Sequence, residues 1–454
     1  MRTFSTVDVQ EFREHRLKNM QKQTLVDRLN HIANLFCLGL PSEEEHFRCD
    51  IFGSNLEFPL SLIGENRNQF QAAVDDLLNS FSAVKGTVSR ELVIKELIPL
   101  IRERKANGYT FGSAEADEFE QTICGLPLQR YRVLRPIYGV EMAPEAAPVR
   151  FGDFEIDFGR QLLISNQPSI LLASVLKPED QNRLFIQCGV AARDTAVAFE
   201  LADALFYRFE LIFRFLIGCR TDWVEVGIVN YRGAQMRDRF VFSEDGHPVE
   251  HGSAWNGAMQ SFIFGDSRFP TPTPPLIRLF ELITRPNNEF EKHIIRCAEW
   301  TGQAIGEPNE AAALVKAAIA LEVLFSANEK GLITPSIMAQ ISESCAFLLG
   351  NEHASPVEIE REVKHLYGVR SSVVHSGKDS VDSKDLDAFI RICRHVVILL
   401  LSGGEFVGMD TMAKLADYFR SRKYAILRNS EPPSAKRDSP NAIALDVESP
   451  RSSE

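Results

Sequence analysis

A chain of 454 residues with 44% hydrophobic and 25% charged side chains has the balance of a folded protein, and it is too long for one typical core. Two or three domains are therefore expected. A formal net charge of -12 and a pI near 5.5 exclude a large basic surface that would wrap nucleic acid, while leaving room for a small basic pocket.

Residues 1–125 read as a helical region, with apolar residues recurring at threes and fours in "NQFQAAVDDLLNSFSAV" and "RELVIKELIPLIRERKANG". The opening stretch "MRTFSTVDVQEFREHR" lacks the apolar run of a signal peptide, so a cytoplasmic setting is expected. Residues 126–285 change period. "RYRVLRPIYGVEM", "VRFGDFEIDFGRQLLI", "SILLASVL" and "RLFIQCGV" are short β-rich runs bounded by Pro, Gly and Asn. A long apolar helix is predicted from about Arg193 to Leu216. Its charges at Glu200, Asp203, Arg208, Glu210 and Arg214 make it a buried helix rather than a membrane span, and no run of eighteen apolar residues occurs anywhere. "WVEVGIVNY" and "DRFVFSED" suggest two further strands. Prolines at 270, 272, 274 and 275 then mark a boundary.

Residues 286–427 read as helices only, with short connections that favour antiparallel neighbours in a bundle. A last helix is expected from about Asp410 to Tyr424. The tail, residues 428–454, is rich in Ser, Pro and charge and is expected to be disordered. The fold class predicted is α+β: a mixed helical and β-containing N-terminal region followed by an all-α bundle.

One bundle helix has legible ends. Ser355, Pro356 and Glu358 suit an N-cap, a first-turn proline and a capping-box glutamate, and Gly377 suits the left-handed position past the last turn. Val363, Leu366, Tyr367, Val373 and Val374 form one stripe of this helix, and Arg370 falls in its middle. An arginine there needs an acidic or anionic partner, because stripping its charge of water is expensive. His375 lies about 140° round the helix from Arg370, at a C-terminal turn that favours a protonated imidazole. Spacing alone is equally served by a solvated pair or an internal salt bridge.

A second polar residue is out of place. Glu322 in "VKAAIALEVLFS" sits on a helix that is apolar nearly all round, so it should be central and should want a cation. Arg370 is the natural choice. If the pair is buried, truncating either member alone would cost about 3 to 5 kcal/mol.

"AIALEVLFS", a helical spacer, "LYGVRSSVVHSG" and the final "AFIRICRHVVILLL" together resemble the Apea-like branch of the HEPN domains over about residues 290–402. These are small helical bundles with an Arg-x4-6-His motif. The resemblance implies a metal-independent, cofactor-free endoribonuclease whose site is assembled from two copies in a homodimer, with RNA as substrate. It would place Arg370 on the scissile phosphate and His375 as general acid or base. Glu322 would be an orienting partner, and Ser371 and Lys378 binding residues beside them. Such proteins are associated with bacterial anti-phage defence, in which an activating partner would release the activity. Many active members carry Asn, Asp or His directly after the arginine, where this chain has Ser371. The alternative is therefore a non-catalytic module for dimerisation or for binding RNA or nucleotide.

Other constellations are weaker. His247 and His251 lie four apart in "EDGHPVEHG", but the glycines and proline there read as a loop, and no third ligand accompanies them. His46 and Cys49, near Cys37, make a still weaker group. No phosphate-binding glycine loop occurs, and no metal site is predicted. The basic runs "IRERK" and "FRSRKYAILR" read as solvated helix faces. The eight scattered cysteines read as buried reduced thiols.

Overall fold

The computed structural model describes residues 24–42, 49–53, 57–161, 182–218, 220, 226–228, 236–242, 248–255, 261–265, 273–325, 337–350 and 355–430. The strand expected at Ser169–Leu176, the histidines at 46 and 247, the side chain of His251, Pro270, Pro272 and the tail beyond 430 lie outside the described residues. The chain is α+β and divides into two compact units. The first holds residues to 217, 221–273 and 277–284; the second holds 218–220, 274–276 and everything from Arg285.

The first unit opens with helix α1, residues 24–34, then strands β1 (Cys37–Leu38), β2 (Cys49–Phe52) and β3 (Leu60–Ile63) in the antiparallel order β1-β3-β2. These three strands are a departure from the helical reading of residues 1–125, and their two to four residues are too short to display an alternating pattern. Helices α2 (Asn66–Ser80), α3 (Arg90–Asn107) and α4 (Ser113–Cys124) follow. Their apolar faces meet in a core containing Leu29, Phe36, Phe70, Leu97 and Phe119.

Strands β4 (Gln129–Tyr138), β5 (Val140–Glu141), β6 (Val149–Phe151), β7 (Phe154–Phe158) and β8 (Leu184–Ala192) come next. Helix α5 (Thr195–Ile217), β9 (Gly227–Ile228), β10 (Met236–Phe242), β11 (Pro248–Trp255) and β12 (Phe262–Ile263) complete this stretch. A five-stranded antiparallel sheet has the order β6-β7-β8-β4-β9. Helix α5 is buried, as its composition predicts: Phe209 and Phe213 pack with Phe151 and Phe280 at ring separations of 5.2 to 6.4 Å. Three of its charges are paired. Arg214 donates to Glu210 at 2.5 Å in the interior, and Arg135 of β4 clamps Asp203 through three hydrogen bonds of 2.8 to 3.1 Å. The β6–β7 turn needs Gly152, with φ of 58° and the Glu281 backbone 3.0 Å from where a Cβ would stand. The segment around His251 is not the expected loop. From Pro248 it is a strand, paired with β10 so that His251 opposes Phe240.

Helix α6 (Pro274–Thr284) starts at the two prolines, whose missing N–H groups are unpaired at a helix start in any case. The second unit then consists of α7 (Glu289–Ile305), α8 (Glu310–Phe325), α9 (Ile337–Leu349), α10 (Pro356–Ser376), α11 (Ser383–Leu401) and α12 (Met412–Ser430). Helix α12 is longer than expected, extending to Ser430 and so into the first residues assigned to the tail. The alanine-rich α8 is central, packed by α7, α9, α10 and α11. Its small residues let neighbours approach closely. Ala313, Ala317, Ala318 and Ala320 are fully buried. No helix among the described residues is long and apolar enough to cross a membrane.

Candidate functional site

Helix α10 has the bounds its caps predict. The Glu358 carboxylate accepts from the Ser355 N–H at 3.3 Å, and Gly377, with φ of 64°, closes the last turn by donating to the Ser372 carbonyl. Within these ends Ile359, Val363, Leu366 and Tyr367 are buried. The Tyr367 hydroxyl donates to the Ala318 carbonyl of α8 at 3.1 Å, and its ring meets Phe389 of α11 edge-on at 5.5 Å. Burial, with the Glu322 carboxylate nearby, pushes this phenol's pKa far above its ordinary value.

One turn further along both helices, Arg370 meets Glu322, with Nη2 to Oε1 at 3.4 Å. The pair forms between the two residues that the sequence singles out. It is not fully buried, however, with the arginine side chain 27% and the glutamate side chain 23% exposed. Glu322 is close to the end of α8 at Phe325. The Arg370 Nε is buried and has no hydrogen-bond partner.

Past Arg370 the helix turns to solvent. Ser371, His375 and Lys378 are exposed. Val374, expected on the apolar stripe, is instead 48% exposed. Arg370 and His375 therefore occupy different sides of one helix end, with no hydrogen bond between them. Ser372 is spent on the helix itself, its hydroxyl donating to the Gly368 carbonyl at 3.1 Å.

Two further anchors surround the pair. His293 Nδ1 of α7 lies 2.8 Å from the Val323 carbonyl, and the Cys393 thiol of α11 donates to the Ala317 carbonyl at 3.4 Å. Sequence periodicity places Tyr367 and Cys393 on apolar faces and is silent on these polar ends. A buried tyrosine among small residues is the signal that could have revealed the first.

Cys297, Cys345 and Cys393, from three helices, lie in the bundle core as free thiols. Burial holds the first two well above the ordinary thiol pKa and pushes Cys393 up to about 12, which disfavours the reactive thiolate at all three. Cys37 is exposed and Cys124 half-buried, contrary to the uniform burial expected. Three cations of the basic run on α12 are paired: Arg420 with Asp417, Arg422 with Glu405 and Lys423 with Glu343, at 2.7 to 2.8 Å. In "IRERK", Arg104 pairs with Glu115 and Arg102 donates to the Phe52 carbonyl. A cavity of about 270 Å³ under α12 is floored by Leu324, Phe347, Leu415 and Phe419, and none of the predicted site residues lines it. No group of three His, Cys, Asp or Glu side chains placed to hold a metal ion occurs among the described residues.

No family model, curated protein or solved structure matches this chain. Any functional reading therefore rests on the α10 geometry and on the motif order in the sequence.

Proposed function

We propose that the C-terminal end of α10 is half of a metal-independent RNA-cleaving site of HEPN type, completed by the same helix end of a second copy. The observation that carries this reading is a part-exposed Arg370 guanidinium with a donor to spare, followed within five residues by an exposed imidazole at the helix terminus. Guanidinium matches phosphate oxygens bidentately, and imidazole exchanges protons near neutral pH.

In this reading Arg370 holds the phosphodiester while the ribose 2′-hydroxyl attacks phosphorus and the bond to the 5′-oxygen breaks. His375 of one copy accepts the hydroxyl proton. Its counterpart, as imidazolium, donates a proton to the departing 5′-oxygen, leaving a 2′,3′-cyclic phosphate and a 5′-hydroxyl. Lys378 adds a cation for flanking phosphates, and Ser371 a hydroxyl. The two histidines need a second chain because each helix end presents only one. An activating partner would govern when the copies meet, as a stress or defence role requires.

The test is incubation of purified wild type, His375→Ala and Arg370→Ala with mixed cellular RNA in EDTA. Cleavage by wild type alone is expected, and equal cleavage by His375→Ala refutes the mechanism. A second reading, a module that binds RNA without cutting it, is favoured by Ser371 standing where many active HEPN nucleases carry an acid, amide or imidazole. Under that reading every variant leaves RNA intact, while Arg370→Ala still loses binding.

A further inference from the structure

The Glu322–Arg370 contact differs from the two bidentate arginine–carboxylate clamps of the first unit. Arg135 holds Asp203 by three hydrogen bonds of 2.8 to 3.1 Å, and Arg90 reaches both oxygens of Asp75 at 2.6 and 2.8 Å. Those are bidentate and fix the guanidinium plane. Arg370 instead makes a single 3.4 Å approach through Nη2, with its Nε buried and unbonded. A carboxylate built to orient this arginine would engage Nε and one Nη together. The present arrangement leaves one donor unsatisfied and one loosely held, so a better acceptor would win the guanidinium.

The helix seam does not depend on that contact. One turn away the buried Tyr367–Ala318 hydrogen bond and the Tyr367–Phe389 ring contact join α10 to α8 and α11 through neutral groups that an anion cannot displace. The seam thus has a fixed rung and an exchangeable one.

We propose that Glu322 is a displaceable counter-ion, from which a phosphodiester takes Arg370 by swinging the guanidinium outward so that Nε and one Nη both bind phosphate oxygens. This rests on the reading of Arg370 as the phosphate-holding residue and adds a restraint to it. In the empty protein Glu322 occupies the arginine and repels anions, which raises the threshold for binding RNA. Glu322 then acts through Arg370, as a restraining counter-ion rather than the orienting partner expected from sequence, and does not touch substrate.

The experiment measures binding of a fluorescent 2′-O-methyl oligoribonucleotide, which carries phosphodiesters but no attacking hydroxyl, to the full chain at low salt. Glu322→Gln is expected to bind about two- to fivefold more tightly than wild type, a factor set by the strength of a part-exposed ion pair. Glu322→Asp, too short to reach, is expected to shift the same way and serves if the glutamine variant does not fold. Nitrogen-15 spectra add a readout that simple loosening of the bundle would not give: the Arg370 Nε–H signal moves on oligonucleotide addition, and moves at lower concentration in Glu322→Gln. Equal or weaker binding by both variants, with Arg370→Gln still abolishing it, overturns the counter-ion role and leaves the phosphate site standing. Binding that survives Arg370→Gln, or no binding by any variant, overturns both.

Discussion

Replacing Glu322 by Gln removes one charge from the α8–α10 seam at constant volume, and the structure fixes how much that should cost. A fully buried ion pair losing one partner would cost about 3 to 5 kcal/mol. With both side chains about a quarter exposed and a single 3.4 Å contact, the pair belongs with part-solvated ones, worth about 0.2 to 1 kcal/mol. Water can reach the arginine once its partner is neutral, and the buried Nε is already unbonded, so no new buried unsatisfied donor arises on Arg370. The expected loss is therefore at most about 1 kcal/mol. Amide hydrogen exchange along α8 and α10 is the suitable assay, because the chain has two compact units and a global melting curve would mix them. A loss of about 1 kcal/mol lowers protection of the slowest amides roughly fivefold, whereas 3 kcal/mol lowers it more than about 100-fold. A 100-fold drop confined to these helices would show that the pair behaves as a buried one, and the reasoning from exposure would be wrong.

Three further outcomes follow from the packing. Tyr367→Phe deletes only the hydroxyl bond to Ala318, so it should cost about 1 kcal/mol, read by the same exchange measurement, while Tyr367→Ala should cost about 3 to 5 kcal/mol through the cavity it leaves. Burial raises the pKa of Cys393 to about 12 in the folded chain, so the native state keeps a proton that the unfolded state releases from about pH 8.5. Its stabilising contribution is complete below that pH and is lost as pH rises toward about 12; Cys393→Ser should flatten this alkaline decline in urea titrations, and Cys37 should react with a thiol reagent long before Cys393. Burial likewise raises the pKa of Asp157. The native state therefore holds its proton more tightly than the unfolded chain, and its charge destabilises the first unit at neutral pH. Asp157→Asn should raise the urea midpoint at pH 7, with the gain vanishing below pH 4, and a destabilised variant at pH 7 would refute that sign.

The sequence and the structure agree where a local rule dictates geometry. The caps of α10 were legible because Ser355, Pro356, Glu358 and Gly377 each answer a backbone need of their own position. The Arg370–Glu322 contact was legible because both residues violate an apolar pattern, and opposite charges so placed have reason to meet. The extent of their exposure was not legible. Angular arithmetic assigns a face to Val374 and Arg370, but whether that face is covered depends on where α8 and its neighbours stop. The polar ends of Tyr367 and Cys393 were invisible for a related reason: periodicity sorts residues by apolar character, and both residues bond only through their polar tips. Strands β1 to β3 escaped because ladders so short draw their stability from tertiary packing rather than from their own composition.

Helix α8 is held by donors from three directions. Cys393 of α11, Tyr367 of α10 and His293 of α7 reach the carbonyls of Ala317, Ala318 and Val323, three points spread over about 9 Å of axis. A helix keyed in this way can neither roll nor slide without parting from several neighbours at once. The azimuth of Glu322 is consequently a constant of the bundle. If Arg370 captures a phosphodiester as proposed, the rearrangement must come from the torsions of its long side chain or from the last turn of α10, which places the moving part on the same side of the seam as His375 and Lys378.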